Sequence, residues 1–397
     1  MKIVAIRETT VALSAPMRNA DIAFDAMTAS AVAVVTDKAV AGRPLIGLGF
    51  DSIGRYGHGG LLRERFIPRL LAAKPEDYAA ADGDAIDPSR AWSVMMRNEK
   101  AGGHGDRAGA VGVLDAALWD LAAKAEGKPL WRVLADRFNG GNALARVPAY
   151  ASGGHYRDAA AQGAGARGDE AAALGAELSA YRAHGYRRFK IKVGGAPLER
   201  DQARIEAALG VAGDGASLAV DGNGAAERDA AFALLRALAP YRLAWFEEPC
   251  ETLDYALLAE LSAADLMPLA TGENIFSAAD TRNLLRYGGL KPARDRLQMD
   301  ISLAYGVPEY LRIVALLEAA GWSRTRLLPH AGHLLSFHVV AGLGLGSHEA
   351  APDEKLLFGG YPEGVAVEDG HIRPWEAPGV GFERKPNLQR VFAPLIG

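Results

Sequence analysis

The sequence predicts a parallel β/α barrel, and three observations carry that expectation. From about residue 145, short apolar segments alternate with helix-like patterns: "VPAYAS", "RFKIKVGG", "SLAVDGNG", "LAWFEEP", "LMPLATGEN", "RLQMDIS" and "RLLPHAG". Strands in that rhythm with helices read as βαβ units. Second, acids close three consecutive strand segments, at Asp221, Glu247 and Glu273, and 26 residues separate each from the next. That interval is about one β/α repeat. Third, "RFKIKVGG" (188–195) reads as a buried strand with Phe189, Ile191 and Val193 on one face. Lys190 and Lys192 share the other, because strand side chains alternate.

The elements follow in order. "MKIVAIRETTVALS" alternates as a strand does, and "SAVAVVTD" is a second β-rich run. "GFDSIGRYGHGG" (49–60) holds five glycines and suits a mobile loop. Helical patterns follow at "LLRERFIPRLLAA" and "AVGVLDAALWDLAAKAEG"; the second ends at Gly127, with Lys124 in its last turn and Pro129 beyond. Residues 1–140 thus form an α+β region and residues 141–360 the barrel. Within the barrel, 158–177 is Ala/Gly-rich, an insertion followed by a helix, and its composition carries no chemistry. Residues 361–397 return to Pro/Gly-rich coil, expected to pack back on the amino-terminal region.

Composition narrows the function. Of 397 residues, 49% are hydrophobic and 23% charged, which are ordinary globular proportions. The net charge of −4 supplies no basic footprint for nucleic acid. Cys250 is the one cysteine, so no internal disulfide forms. Neither a signal peptide nor a membrane-length apolar run is visible. The expectation is a soluble cytoplasmic protein that works on a small molecule, with no nucleic-acid or membrane partner.

Barrel active sites form at the carboxyl ends of the strands. Asp221, Glu247 and Glu273 recur once per strand there, so they converge at one rim. Three such carboxylates repel one another unless a cation neutralises them, and oxygen-only ligands suit Mg²⁺. Any one of them alone could equally cap the following helix. Lys192 and Lys190 on the adjoining strand can face a metal-bound substrate. The neighbouring ammonium and burial would both lower the pKa of Lys192 toward that of a general base. His330 ends the seventh segment and Asp300 the sixth, a plausible His–Asp dyad. His333, His338 and His348 are expected to be structural. Glu349 is either a substrate ligand or acid, or a surface glutamate. "GLGLG" (342–346) is a weak phosphate-loop signal, since it follows a helix pattern.

In that order and spacing, "KIK", "DGNG", "FEEP", "TGEN" and "PHAGH" resemble the mandelate racemase group of the enolase superfamily, and "AALWDLAAKAEGKPLWRVL" is similar to the helix and linker closing that family's capping domain. The resemblance implies a (β/α)7β modified TIM barrel with an α+β cap built from both chain ends. It also implies opposing bases at Lys192 and at the His330–Asp300 dyad, with Lys190 beside the substrate carboxylate and Mg²⁺ on Asp221, Glu247 and Glu273. "NEKAGGHGDR", "GRYGHGGLLRERF", "ATGEN" and "NLLRYGG" are similar to the D-tartrate dehydratase family within that group. There, residues matching Asn19 and Lys100 approach the substrate from the cap. Two positions depart from the pattern: Ile53 replaces an asparagine, and Arg157 replaces a tyrosine at a substrate-binding position. The implied reaction is dehydration of a hydroxy-diacid or sugar acid, with D-tartrate as lead substrate. A racemase or epimerase uses the same two bases, and a non-catalytic barrel is the third alternative. The implied assembly is a symmetric homo-oligomer, an octamer.

Overall fold

The computed structural model describes residues 1–40, 42–81, 83–156 and 170–397. The chain opens with an antiparallel sheet in the order β1 (Ile3–Ala12), β2 (Thr28–Val40), β3 (Arg43–Phe50). Alternation sorts the buried residues of β2 between two cores. Val32 and Val34 join the helices of the cap, whereas Ala29, Ala31 and Ala33 face the core shared with the barrel.

Helix Asp106–Ala125 is buried almost all round, as its apolar sequence demands. It lies so close to β3 that a Cβ at Gly47 or Gly49 would overlap the carbonyl oxygens of Ala117 and Val113. On another side, Gly112 meets the Ser302 carbonyl at the barrel rim. Two buried acids of this helix satisfy backbone donors of its neighbours. Asp115 accepts from Val307 N at 2.7 Å; Asp120 accepts from Leu48 N at 2.8 Å and Val380 N at 2.6 Å. The helix therefore joins cap sheet, barrel and carboxyl-terminal tail.

The barrel is a modified TIM barrel, with parallel strands β4 (Val147–Gly153), β5 (Phe189–Lys192), β6 (Leu218–Asp221), β7 (Phe246–Glu247), β8 (Leu269–Thr271) and β9 (Arg296–Leu297) in sequential order. The eighth strand, β10 (His348–Ala350), closes the ring on β4. The seventh segment pairs with β9 through a bridge between Leu297 and Leu327, with Leu328 N donating to Leu297 O and His330 N to Gln298 O.

Two expectations need correction. "GLGLG" is the end of helix Leu334–Leu343: Gly344 takes the left-handed conformation (φ 70°) that terminates it, and Gly346 packs under the Thr325 carbonyl. The tail is more than coil. A short hairpin, β11 (Val367–Glu368) with β12 (His371–Ile372), pairs onto β4, and helix Pro386–Ile396 packs on β1 and β2. Leu388, Val391, Phe392 and Leu395 form the buried stripe of that helix. Among the described residues, no helix is long and apolar enough to cross a membrane.

Candidate active site

Parallel register builds the site. Lys192 stands beside Asp221, Asp221 beside Glu247, and Glu247 beside Ala270, two residues before the turn at Gly272 (φ 137°) that presents Glu273. One carboxylate oxygen from each of Asp221, Glu247 and Glu273 lies within 4.8 Å of the others, and all three residues are buried. Hard oxygen donors at this spacing suit Mg²⁺. Glu273 Oε2 supports the fit: it is buried and accepts no hydrogen bond among the described residues, with only the His330 ring as a charged neighbour at 3.3 Å.

Both lysines point into the barrel. Lys190 Nζ lies 2.5 Å from Glu247 Oε1, 3.0 Å from Glu349 Oε1 and 3.7 Å from Asp221 Oδ2; Lys192 Nζ lies 2.5 Å from Asp221 Oδ2. This reverses the expectation of a depressed lysine. Burial, the largest influence, and Lys190 do work against the charge of Lys192, but Asp221, Glu273 and Glu247 together outweigh them and the lysine pKa is raised. A divalent cation sharing Asp221 would oppose that effect. The carboxylates divide. Burial pushes Glu247 up to about 7 despite Lys190, whereas at Asp221 the two ammonium groups overcome burial and hold the acid low.

Two residues that sequence reasoning missed fix Glu247. Its Oε2 accepts from Gln298 Nε2 at 2.6 Å and from Trp245 Nε1 at 3.1 Å. Each lies two residues before an acid on the same strand, so alternation places it one layer deeper on the interior face. Glu248 turns away, in the left-handed region at φ 41°. It accepts from Thr252 Oγ1 at 2.9 Å and Asn274 Nδ2 at 2.8 Å.

Across the cluster, His330 Nδ1 is 3.0 Å from Asp300 Oδ2 and His330 Nε2 is 3.3 Å from Glu273 Oε2. Burial opposes the imidazolium, but Glu273 and Asp300 raise its pKa to about 9. Asp300 Oδ1 accepts from the N–H groups of Ser302 and Leu303, and Oδ2 accepts from Ser52 Oγ at 2.5 Å. Glu349 is buried, held by Lys190 and by Tyr150 OH at 3.1 Å.

The remaining candidates are less tightly gathered. Asn19 is buried, and its Oδ1 accepts from Asp21 N and Ile22 N within its own loop. That loop reaches the end of β5, where Ala20 abuts Gly195. Lys100 is exposed, and among the described residues no hydrogen bond or ion pair joins its side chain to the cluster. Ile53 is half-buried against the main core, and Arg157 lies outside the described residues. His155, at the end of β4, was also missed. Its ring meets Phe24 edge-on at 5.8 Å, and burial together with the nearby Lys192 lowers its pKa to about 3. His333 and His338 are structural: they hydrogen-bond Phe50 O and Val380 O. His348 is buried edge-on to Phe337.

Comparison with known proteins agrees with this geometry. The family described as enolase C-terminal domain-like matches residues 173–388. A 3,6-anhydro-α-L-galactonate cycloisomerase of Streptomyces coelicolor is 30% identical over 78% of this chain and 79% of its own. An arabinonate dehydratase of Saccharolobus solfataricus is 27% identical over 73% and 74%. Among solved structures, a racemase of Streptomyces coelicolor with bound magnesium superposes with a TM-score of 0.75 at 26% identity, covering 97% of this chain and 99% of that one. An L-talarate dehydratase of a Polaromonas species, in complex with Mg and L-glucarate, gives 0.74 at 26% identity, covering 98% and 96%.

Proposed function

This chain belongs to the enolase superfamily through its enolase C-terminal domain-like region, and on that premise we propose that it dehydrates a hydroxy-dicarboxylic or sugar acid with Mg²⁺, with D-tartrate, yielding oxaloacetate and water, as the lead substrate. One observation carries the reading. A lysine and a histidine flank the carboxylate cluster from opposite sides, Lys192 on Asp221 and His330 on Glu273.

The chemical problem is a very weakly acidic proton on the carbon next to a carboxylate. When bound by Asp221, Glu247 and Glu273, Mg²⁺ supplies positive charge to the substrate carboxylate as that proton leaves. Lys190 adds to it from the same side. Lys192, which a cation shared with Asp221 would favour in its neutral form, takes the α-proton. His330, held charged by its neighbours, donates its Nε2 proton to the β-hydroxyl, which departs as water. The resulting enol tautomerises to a 2-keto acid. Ser52 and Arg55 tie the cap loop to Asp300 and Asn274 at this mouth, where it would shield the reaction from water.

Dehydratases of sugar acids among the relatives support the reaction class, and the cap motifs support D-tartrate within it. The racemase neighbour keeps a second reading in play, since the same two groups can invert a carbon. The test is incubation with Mg²⁺ and D-, L- and meso-tartrate together with galactonate, arabinonate and L-talarate, assayed for 2-keto acid. Oxaloacetate from D-tartrate alone supports the full reading. Keto acid from another acid keeps the reaction and replaces the substrate. Deuterium uptake from D₂O with no keto acid from any of them favours the racemase. A homo-oligomer, an octamer by resemblance, is part of the proposal and is measured by light scattering.

A further inference from the structure

The glycine-rich cap loop touches the barrel at successive rim positions. Phe50 O accepts from His333 Nε2 at 2.7 Å, Ser52 Oγ donates to Asp300 at 2.5 Å, and Arg55 donates to Asn274. Those partners follow the seventh, sixth and fifth barrel strands, so the loop steps round the rim one strand at a time. Ser52 is the member that meets catalytic machinery. Its position is set from behind, because the adjacent Asp51 points the other way, into the cap. Asp51 Oδ2 accepts from Ser30 N at 2.5 Å, and Oδ1 lies 2.8 Å from His58 Nδ1. Alternation at 51 and 52 thus pins one side chain to the cap sheet and delivers the other to the barrel.

Asp300 Oδ2 is shared. The hydroxyl of Ser52 occupies one side of that oxygen, and His330 Nδ1 the other. Asp300 Oδ1 is already committed to Ser302 N and Leu303 N. Four donors therefore fix the plane of the carboxylate, and that plane aims Nε2 of His330 at the cluster. Three of the four donors come from the barrel, and only Ser52 comes from the cap.

We propose that Ser52 is a positioning residue, the cap-borne third member of the His330–Asp300 pair, so that the acid half of the reaction is assembled only when the cap loop is seated. The inference rests on the proposed dehydration for its kinetic consequence, though not for its structural one. Removing the hydroxyl leaves the Lys192 side intact and takes away the one cap-borne donor that sets Asp300 Oδ2 against the His330 ring, so proton abstraction and water loss separate. An abstracted α-proton is then replaced by solvent deuterium, returned by Lys192 to the same carbon, before the hydroxyl leaves.

The experiment compares wild type, Ser52→Ala and Ser52→Thr with Mg²⁺ in D₂O, following deuterium in recovered acid and formation of keto acid. In parallel, ¹⁵N-histidine NMR follows the His330 ring, assigned with His330→Asn. The expected result for Ser52→Ala is a fall in keto-acid formation of about ten- to hundredfold, with deuterium uptake retained. The His330 nitrogen signals shift, and Ser52→Thr recovers both properties. Equal loss of both steps, unchanged water loss or an unmoved His330 signal in Ser52→Ala overturns the proposal. Should wild type form no keto acid from any acid tried, the dehydratase reading falls, while the NMR comparison still decides the role of Ser52.

Discussion

Lys192 Nζ lies 2.5 Å from Asp221 Oδ2, the carboxylate that strand register sets directly beside it. The base of the proposed reaction and a ligand of the proposed metal are therefore each other's nearest charged partner. The Lys192→Ala variant should lose about 10²–10⁴-fold in kcat/KM and lose deuterium exchange as well. His330→Asn should lose water release to a similar degree while keeping exchange. Steady-state kinetics in D₂O separates the two, and equal behaviour of the variants would falsify the assignment of roles.

Chelation should abolish turnover and leave the fold standing. Lys190, Lys192 and the charged His330 set three positive charges against Asp221, Glu247, Glu273 and Glu349, so most of the cluster's charge is balanced without a divalent ion. Circular dichroism after EDTA is expected to match that of the untreated protein, with activity restored by Mg²⁺. Loss of the far-ultraviolet signal on chelation would contradict this balance.

Gln298→Leu removes the shorter of the two hydrogen bonds that Glu247 Oε2 accepts. Partners of metal-binding side chains typically matter by about 10–100-fold in affinity. An apparent Mg²⁺ affinity weakened by about tenfold or more, read from activity against metal concentration, is the expected outcome.

Gly49→Ala places a methyl on the Val113 carbonyl, and the helix backbone at Val113 and Ala117 cannot give way. The expected cost is about 1–3 kcal/mol or more, seen as a lowered Tm. Gly60→Ala, which meets nothing within 4 Å, is the control that should leave Tm nearly unchanged.

Lys385 gives a pH test remote from the cluster. It is buried, donates to Leu357 O at 3.2 Å and faces Glu354 and His333; burial lowers its pKa to about 7 from the ordinary 10.5. Between those values the unfolded chain holds a proton that the folded chain does not, so stability rises with pH through this window. Below it both states are protonated, and the full penalty of burying the charge remains. Tm should therefore rise from about pH 6.5 to about pH 9 relative to a Lys385→Met variant, in which that increment is absent. Parallel curves for the two proteins would remove Lys385 from the account.

Much of the site was legible because its chemistry repeats with the strands. Asp221, Glu247 and Glu273 recur at the β/α interval, and two lysines on one strand face are conspicuous in sequence. The residues that hold them are not. Gln298 and Trp245 are uncharged, and nothing local marks them as partners of Glu247. Ser52 meets Asp300 across 248 residues of chain. The misjudged direction at Lys192 has the same origin: its like-charged neighbour is two residues away in sequence, whereas Asp221 becomes adjacent only through register. In the fold, the barrel rhythm was plain, but the tail's helix lay beyond a Pro/Gly-rich stretch that read as coil.

Helix Pro386–Ile396 lies on β1 and β2, and Asp120 receives Val380 N on the same carboxylate group that holds Leu48. The cap is thus finished by residues that leave the ribosome after every barrel strand has been made. A nascent chain would have the carboxylate cluster before it has a completed roof over it. Activity should therefore appear only once residues 380–396 have been added, and chains interrupted before residue 380 should keep any Mg²⁺ affinity of the cluster without turning over substrate.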